Sequence, residues 1–234
     1  MMHKSAAIIA TIATTFFASA AATAQDTAPA PAPAVAFKTG PPPGAGDSDH
    51  DGVVSHLGVT VFPTQAIPFP GAAGGVTAPV VGVRYWLLPK LGIDGGLGIG
   101  WLTGSAPSPF AMVFHVGVPL ALASSKHFTF IVSPEANFGF AHENTPGAPM
   151  MANSTADGDL LDMGARVGAE IQFGFIGIPQ LALQGSVGLL FTHTETNTNV
   201  AGVMTPTHAN NLTTTVGGSP WAIFTNAIQA TYYL

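Results

Sequence analysis

The chain has 234 residues, of which 6 are Lys or Arg and 12 are Asp or Glu, so only 8% are charged, against about 25% in soluble domains. Together with a mean hydropathy of +0.40 and with 28 Gly and 20 Pro, which break long helices, this speaks against an ordinary soluble enzyme and for sheet in an apolar setting. The absence of cysteine excludes disulfide scaffolds, thiolate metal sites and a lipidated Cys, and a net charge of -6 without a basic cluster speaks against nucleic acid as a partner.

Residues 1–4 make a short basic start, 5–20 an apolar stretch and 22–24 a small-residue cleavage site. Residues 1–24 therefore read as a secretory signal peptide. The rival, an uncleaved anchor, is disfavoured because the apolar stretch is short and lacks stop-transfer charges. Residues 25–52 form a Pro/Ala-rich tether ending in an acidic string of Asp47, Asp49 and Asp51 followed by Gly52. This resembles half of a calcium loop, but Gly58 stands where a bidentate Glu is needed. The expectation is a solvated turn entering the first strand, with calcium binding as the alternative.

From 53 to 234 the dominant period is two, which marks strands with unlike faces. Eight segments follow: 53–62, 78–88, 91–102, 110–122, 127–141, 160–173, 179–194 and 219–234. In the third, Leu91, Ile93, Leu97, Ile99 and Trp101 share one parity while Gly92, Asp94, Gly96, Gly98 and Gly100 share the other. The charged residues within the strands, Arg84, Asp94, Glu135, Asp162, Arg166 and Glu170, all fall on the small, polar parity. A soluble barrel would cover its outer face with Lys and Glu, whereas this polar face is mostly Gly, Ser, Thr, Asn and Gln. It suits the cramped inside of a narrow barrel whose apolar face meets lipid. Pro119 and Pro134 lie within strands and imply bulges or shifted boundaries. A single spanning helix over 171–191 is the competing membrane reading, opposed by its partial period of two, Pro179 and repeated Gly and Gln.

Links after the second, fourth and sixth segments are short, while those at 63–77, 103–109, 142–159 and 195–218 are longer. Short turns at one end and long loops at the other are the asymmetry of outer-membrane barrels. With the C-terminal alternation of Ile228, Ala230, Tyr232 and Leu234 beside Tyr233, and aromatic residues near strand ends (Trp101, Phe110, Phe140 and Phe191 outward; Tyr85, Phe128, Phe173 and Tyr232 at the other end), residues 53–234 resemble a small outer-membrane β-barrel of the OmpA/OmpX-like kind. The last residue is Leu234, where that class typically ends in an aromatic. The resemblance implies an all-β, transmembrane, antiparallel up-and-down barrel of eight strands in the cell outer membrane. It further implies a periplasmic N-terminus and contacts with outer-membrane lipid, lipopolysaccharide and the barrel-insertion machinery. No peptidoglycan-binding domain is expected after the barrel, so that role is not carried over.

A three-residue turn 88–90 sets Arg84 opposite Asp94, and pairing Ala141 with Leu160 sets Glu135 opposite Arg166, with Asp162 and Glu170 one step away. Confined charges are tolerated when paired, so the expected role of this network is to close the interior. The alternative is a narrow, slightly cation-preferring path on which inward His56 and His115 act as proton-sensitive gates. A lipid-modifying enzyme is the third reading, with His142, Glu143, Asp157 and Asp159 on one long loop and His193 with Glu195 at another. No G-x-S-x-G elbow is present. No cofactor, metal or catalytic residue is assigned. The Thr/Asn-rich 195–218 loop suits a mobile surface for an unspecified ligand.

Overall fold

The computed structural model describes residues 48–70, 72–102, 109–145, 154–215 and 227–234. The expected signal peptide, the tether as far as Asp47 and residues 219–226 lie outside them. The alternating sequence forms strands β1 (Leu57–Phe69), β2 (Ala72–Leu88), β3 (Leu91–Trp101), β4 (Phe110–Gly117), β5 (Leu120–Ser124), β6 (Phe128–Thr145), β7 (Ser154–Phe173), β8 (Ile178–Val200), β9 (Val203–Thr214) and β10 (Ile228–Tyr233). All are antiparallel, and β10 pairs with both β1 and β8. A hydrogen-bonded ring of eight strands results, made of β1, β2, β3, β4, β6, β7, β8 and β10.

The register fixes the shape of the ring. Starting at Val61 and passing through Val81, Leu97, Phe114, Phe138 and Leu161, the pairing reaches His193 on β8. In the other direction Val61 meets Ala230, which meets Leu183. The ring therefore closes with a stagger of ten residues, His193 against Leu183. Ten residues of 3.3 Å over eight strands about 4.8 Å apart tilt the strands by roughly 40°, and eight strands leave an interior just wide enough for side chains.

Several boundaries differ from the sequence expectation, each for a local reason. The first strand begins at Leu57, not 53, because residues 49–53 coil into a helix, α1 (Asp49–Val53). Ser48 caps it, with its hydroxyl accepting from the Asp51 amide while the Asp51 carboxylate accepts from the Ser48 amide. The expected loop 63–77 is largely strand, with register shifts between Phe62 and Gln65 and between Ile67 and Phe69. The expected loop 195–218 is a hairpin in which β8 and β9 pair from Leu189–Thr214 out to Val200–Val203. Its turn places Ala201 and Gly202 at positive φ, the mirror-image geometry that suits strand twist. β9 and β10 lie one after the other along β8, so together they occupy the position expected of one eighth strand. The fourth segment breaks at 118–119. β4 stops at Gly117 opposite Glu135 and β5 resumes at Leu120 opposite Val132, so the donorless Pro119 and Pro134 share one interruption.

Inside the ring the side chains form three layers. At the loop end Phe62, Ile67, Val76, Val80, Val113 and Leu160 belong to one apolar cluster. At the turn end Val53 of α1 packs with Trp86, Ala121, Ile131, Ala182 and Tyr233. Polar and charged residues fill the space between. The upper cluster exists because the β1–β2 hairpin bends across the mouth to the far wall. A Cβ on Gly158 of β7 would sit 1.9 Å from the carbonyl oxygen of Pro68, so only glycine admits this approach.

The acidic string is thus a docked cap rather than a solvated turn. His50 donates from Nε2 to the Pro89 carbonyl (2.8 Å) and meets the Trp86 ring edge-on at 4.5 Å. Asp49 Oδ2 pairs with His127 Nδ1 at 2.7 Å and accepts from the Gly174 amide at 3.1 Å. Ser48→Ala is expected to cost about 1 kcal/mol of local stability, read as faster amide exchange over 49–53 and altered Trp86 fluorescence, with the barrel intact.

Candidate functional site

The middle layer is organised around Arg84, which is fully buried because β2 places it on the inner parity between Gly82 and Trp86. Its Nε and Nη2 donate to Asp94 Oδ1 and Oδ2, both at 2.8 Å, a bidentate fork across the directly paired β3 position. Nη1 donates to Glu170 Oε2 at 2.8 Å and to Gln184 Oε1 at 2.7 Å, tying β2 to the opposite wall. The Arg84–Asp94 pairing follows the expected register, although the turn is made differently. Leu88 pairs with Leu91, and a bulge after Trp86 absorbs the extra residue.

A second pair lies nearby, with Arg166 Nε donating to Glu135 Oε1 at 2.5 Å. Its register corrects the expected one by two residues. Ala141 pairs with Gly158 rather than Leu160, so Glu135 lies opposite Gly164 while Arg166 lies opposite Ser133. The guanidinium reaches its partner diagonally, a distance long side chains span on a sheet. Asp162 lies directly opposite Thr192 on β8, and its Oδ1 has no hydrogen-bond partner.

Further residues complete the layer. His115 Nδ1 lies 2.7 Å from Asn137 Oδ1, and its ring stacks on Phe62 with centroids 4.2 Å apart. His56 is half-buried at the turn end, with Nδ1 donating to the Val54 carbonyl at 3.1 Å. Trp86 Nε1 donates to the Tyr233 hydroxyl at 2.9 Å, and the Arg84 guanidinium lies 5.8 Å from the Trp86 ring centroid. Gln184, Trp86 and Tyr233 are inner-layer residues that the sequence reading did not single out. Their parity was the available signal, since each is two, or a multiple of two, from another inward residue on its strand. Tyr233→Phe leaves the buried Trp86 donor without an acceptor and is expected to cost about 1–3 kcal/mol, measured as a lower urea midpoint.

The loop-end residues are arranged differently. His142 Nδ1 meets Asp157 Oδ1 at 2.6 Å in an exposed pair, while His193 meets Asn210 rather than Glu195. Asp159 lies on β7 directly opposite Glu195. Glu143 is half-buried near the end of β6. Of the acidic string, Asp47 lies outside the described residues, and the carboxylates of Asp49 and Asp51 are used in docking and capping α1. Among the described residues no group of three or more metal-ligating side chains comes together.

In comparison with known proteins, the chain matches no family model, no curated protein and no solved structure.

Proposed function

We propose that the chain is an integral outer-membrane β-barrel with a structural or surface-interacting role, similar in kind to the OmpA/OmpX-like barrels, whose interior is closed by its charge network and apolar layers. The observation that carries this reading is the outer face of the ring. Val59, Val81, Ile93, Leu97, Phe114, Phe130, Val167 and Leu183 are exposed on successive strands while Arg84, Asp94, Arg166 and Glu170 are buried inside. In water that distribution would forfeit about 25 cal/mol for every Å² of apolar surface left uncovered, and in hydrocarbon it costs nothing. No helix among the described residues is long and apolar enough to cross a membrane, and a closed ring satisfies its backbone without one. The closed interior is supported by the two apolar layers that bracket the charges, one under the β1–β2 hairpin and one over α1.

The test is electrophoretic migration of the detergent-solubilised chain with and without boiling. A membrane barrel runs faster unboiled, because the closed ring resists the detergent. Identical migration would count against the proposal.

A further inference from the structure

At the loop end, the outward face of β6, β7, β8 and β9 carries six titratable side chains that neither the interior network nor the α1 cap uses. His142 of β6 lies directly opposite Asp157 of β7, and its Nδ1 meets Asp157 Oδ1 at 2.6 Å. Two residues further along β7, Asp159 lies directly opposite Glu195 of β8, which in turn lies directly opposite His208 of β9. His193 stands two residues from Glu195 on β8, and so diagonally across from Asp159. Directly paired residues, and residues two apart on a strand, share one face of a sheet. Phe140, paired with Asp159, is exposed and marks that face as the outer one.

The register sets like charges against each other. Asp159 and Glu195 are acids in directly opposed positions, an arrangement that destabilises a sheet, and Asp157 lies diagonally across from Glu195. Each acid has one histidine beside it, His142 for Asp157, His208 for Glu195 and His193 for Asp159. Only these imidazoles can bring positive charge to the face. The Lys and Arg residues of the chain are Lys4, Lys38, Arg84, Lys90, Lys126 and Arg166, so none falls within 63–77, 102–110, 142–159 or 193–226. Those stretches hold one further titratable side chain, Glu143, which alternation places on the opposite face from His142.

We infer that this face is a histidine-operated pH switch. Imidazoles gain charge as pH falls from about 8 to about 5, and here each new positive charge arrives beside a carboxylate. Three mutually repelling acids become three ion pairs, and the face passes from three negative charges to none in balance. The protonated form strengthens the pairing of β7, β8 and β9. That contribution is present below the imidazole range and is lost as pH rises through it; it is lost again near about pH 4, where carboxylates take up protons. The element that responds is the β8–β9 hairpin. Among the described residues β9 pairs with β8 alone, and every residue of β9 is exposed, which marks a part of the fold that opens easily. That this end meets the exterior medium rests on the reading proposed above, whereas the switch itself does not. On that reading, a surface that repels anionic partners at neutral pH stops repelling them in acid.

The experiment follows amide exchange of the full chain, refolded in detergent, at about pH 5.5 and about pH 8, with each rate divided by its intrinsic value at that pH. Residues 193–212 should be about three- to ten-fold better protected in acid, with no such change over 80–98 of β2 and β3. His142→Gln, His193→Gln and His208→Gln together should lower protection in acid to the wild-type level at the higher pH. Glu195→Gln removes the centre of the repulsion, so it should raise protection at the higher pH and bring the ratio below about two-fold. Equal protection of 193–212 at the two pH values, weaker protection in acid, or a ratio that survives the triple substitution would each overturn the inference. Migration of the same sample with and without boiling tests the barrel separately, so failure of the switch and failure of the barrel give different results.

Discussion

Arg84→Met is expected to destabilise the barrel by about 3–5 kcal/mol, because removing one partner of a buried ion network leaves the others charged and dry. Arg84 commits its Nε–Nη2 edge to Asp94 and the two N–H groups of Nη1 to Glu170 and Gln184. Methionine fills much of the same volume, so the loss reports charge rather than a cavity. Arg84→Lys should recover only part of it, since an ammonium offers no bidentate fork. Arg84→Met combined with Asp94→Asn and Glu170→Gln should recover more, since the stranded charges are then gone. The readout is the urea midpoint of refolded protein followed by boiled and unboiled migration. A single substitution that leaves the midpoint in place would remove Arg84 from the centre of the network.

Gly158→Ala is expected to cost roughly 1–3 kcal/mol and to act at the mouth alone. The new methyl would collide with the Pro68 carbonyl, a backbone atom that moves only if the hairpin moves. The hairpin should therefore swing off Val113 and Leu160, exposing residues 63–76 to protease while the Arg84 network and α1 stay in place. Unchanged protection of 63–76 would mean that the hairpin does not lie across β7. The same substitution at Gly95, where a Cβ meets nothing within 4 Å, is the matched control.

The two-sided character of the strands was legible in the sequence because the period of two survives across β3, β6 and β7. The Arg84–Asp94 pair was legible because the turn at Pro89 and Lys90 is short enough to fix register. The β6–β7 register was not, since 142–159 offers several competing turn signals, Pro146–Gly147, Pro149 and Asp157–Gly158, and a shift of two keeps every side chain on its face. The mouth hairpin was hidden for a different reason. Val59 and Val61 face out at odd positions, yet after the bulge near Phe62 the odd residues Ile67 and Phe69 face in. One extra residue exchanges the two faces, and nothing in the residue types separates an outward-facing valine from an interior one. The acidic string was misread because Ser48 and Asp51 at capping-box spacing compete with a calcium-loop pattern over the same residues. The capping box won locally, and Asp49 found His127 far along the chain.

The claim on which the proposed function stands is that hydrocarbon solvates the outer apolar face. The most direct measurement places a nitroxide on single cysteines at Leu97→Cys and Val167→Cys, unique labels in a chain without native cysteine, with Thr205→Cys on the exposed β9 as the aqueous reference. In reconstituted bilayers molecular oxygen should relax the labels at 97 and 167 strongly while a water-soluble nickel chelate barely reaches them, and the label at 205 should behave the opposite way. Chelate access at 97 and 167 equal to that at 205 would contradict the account.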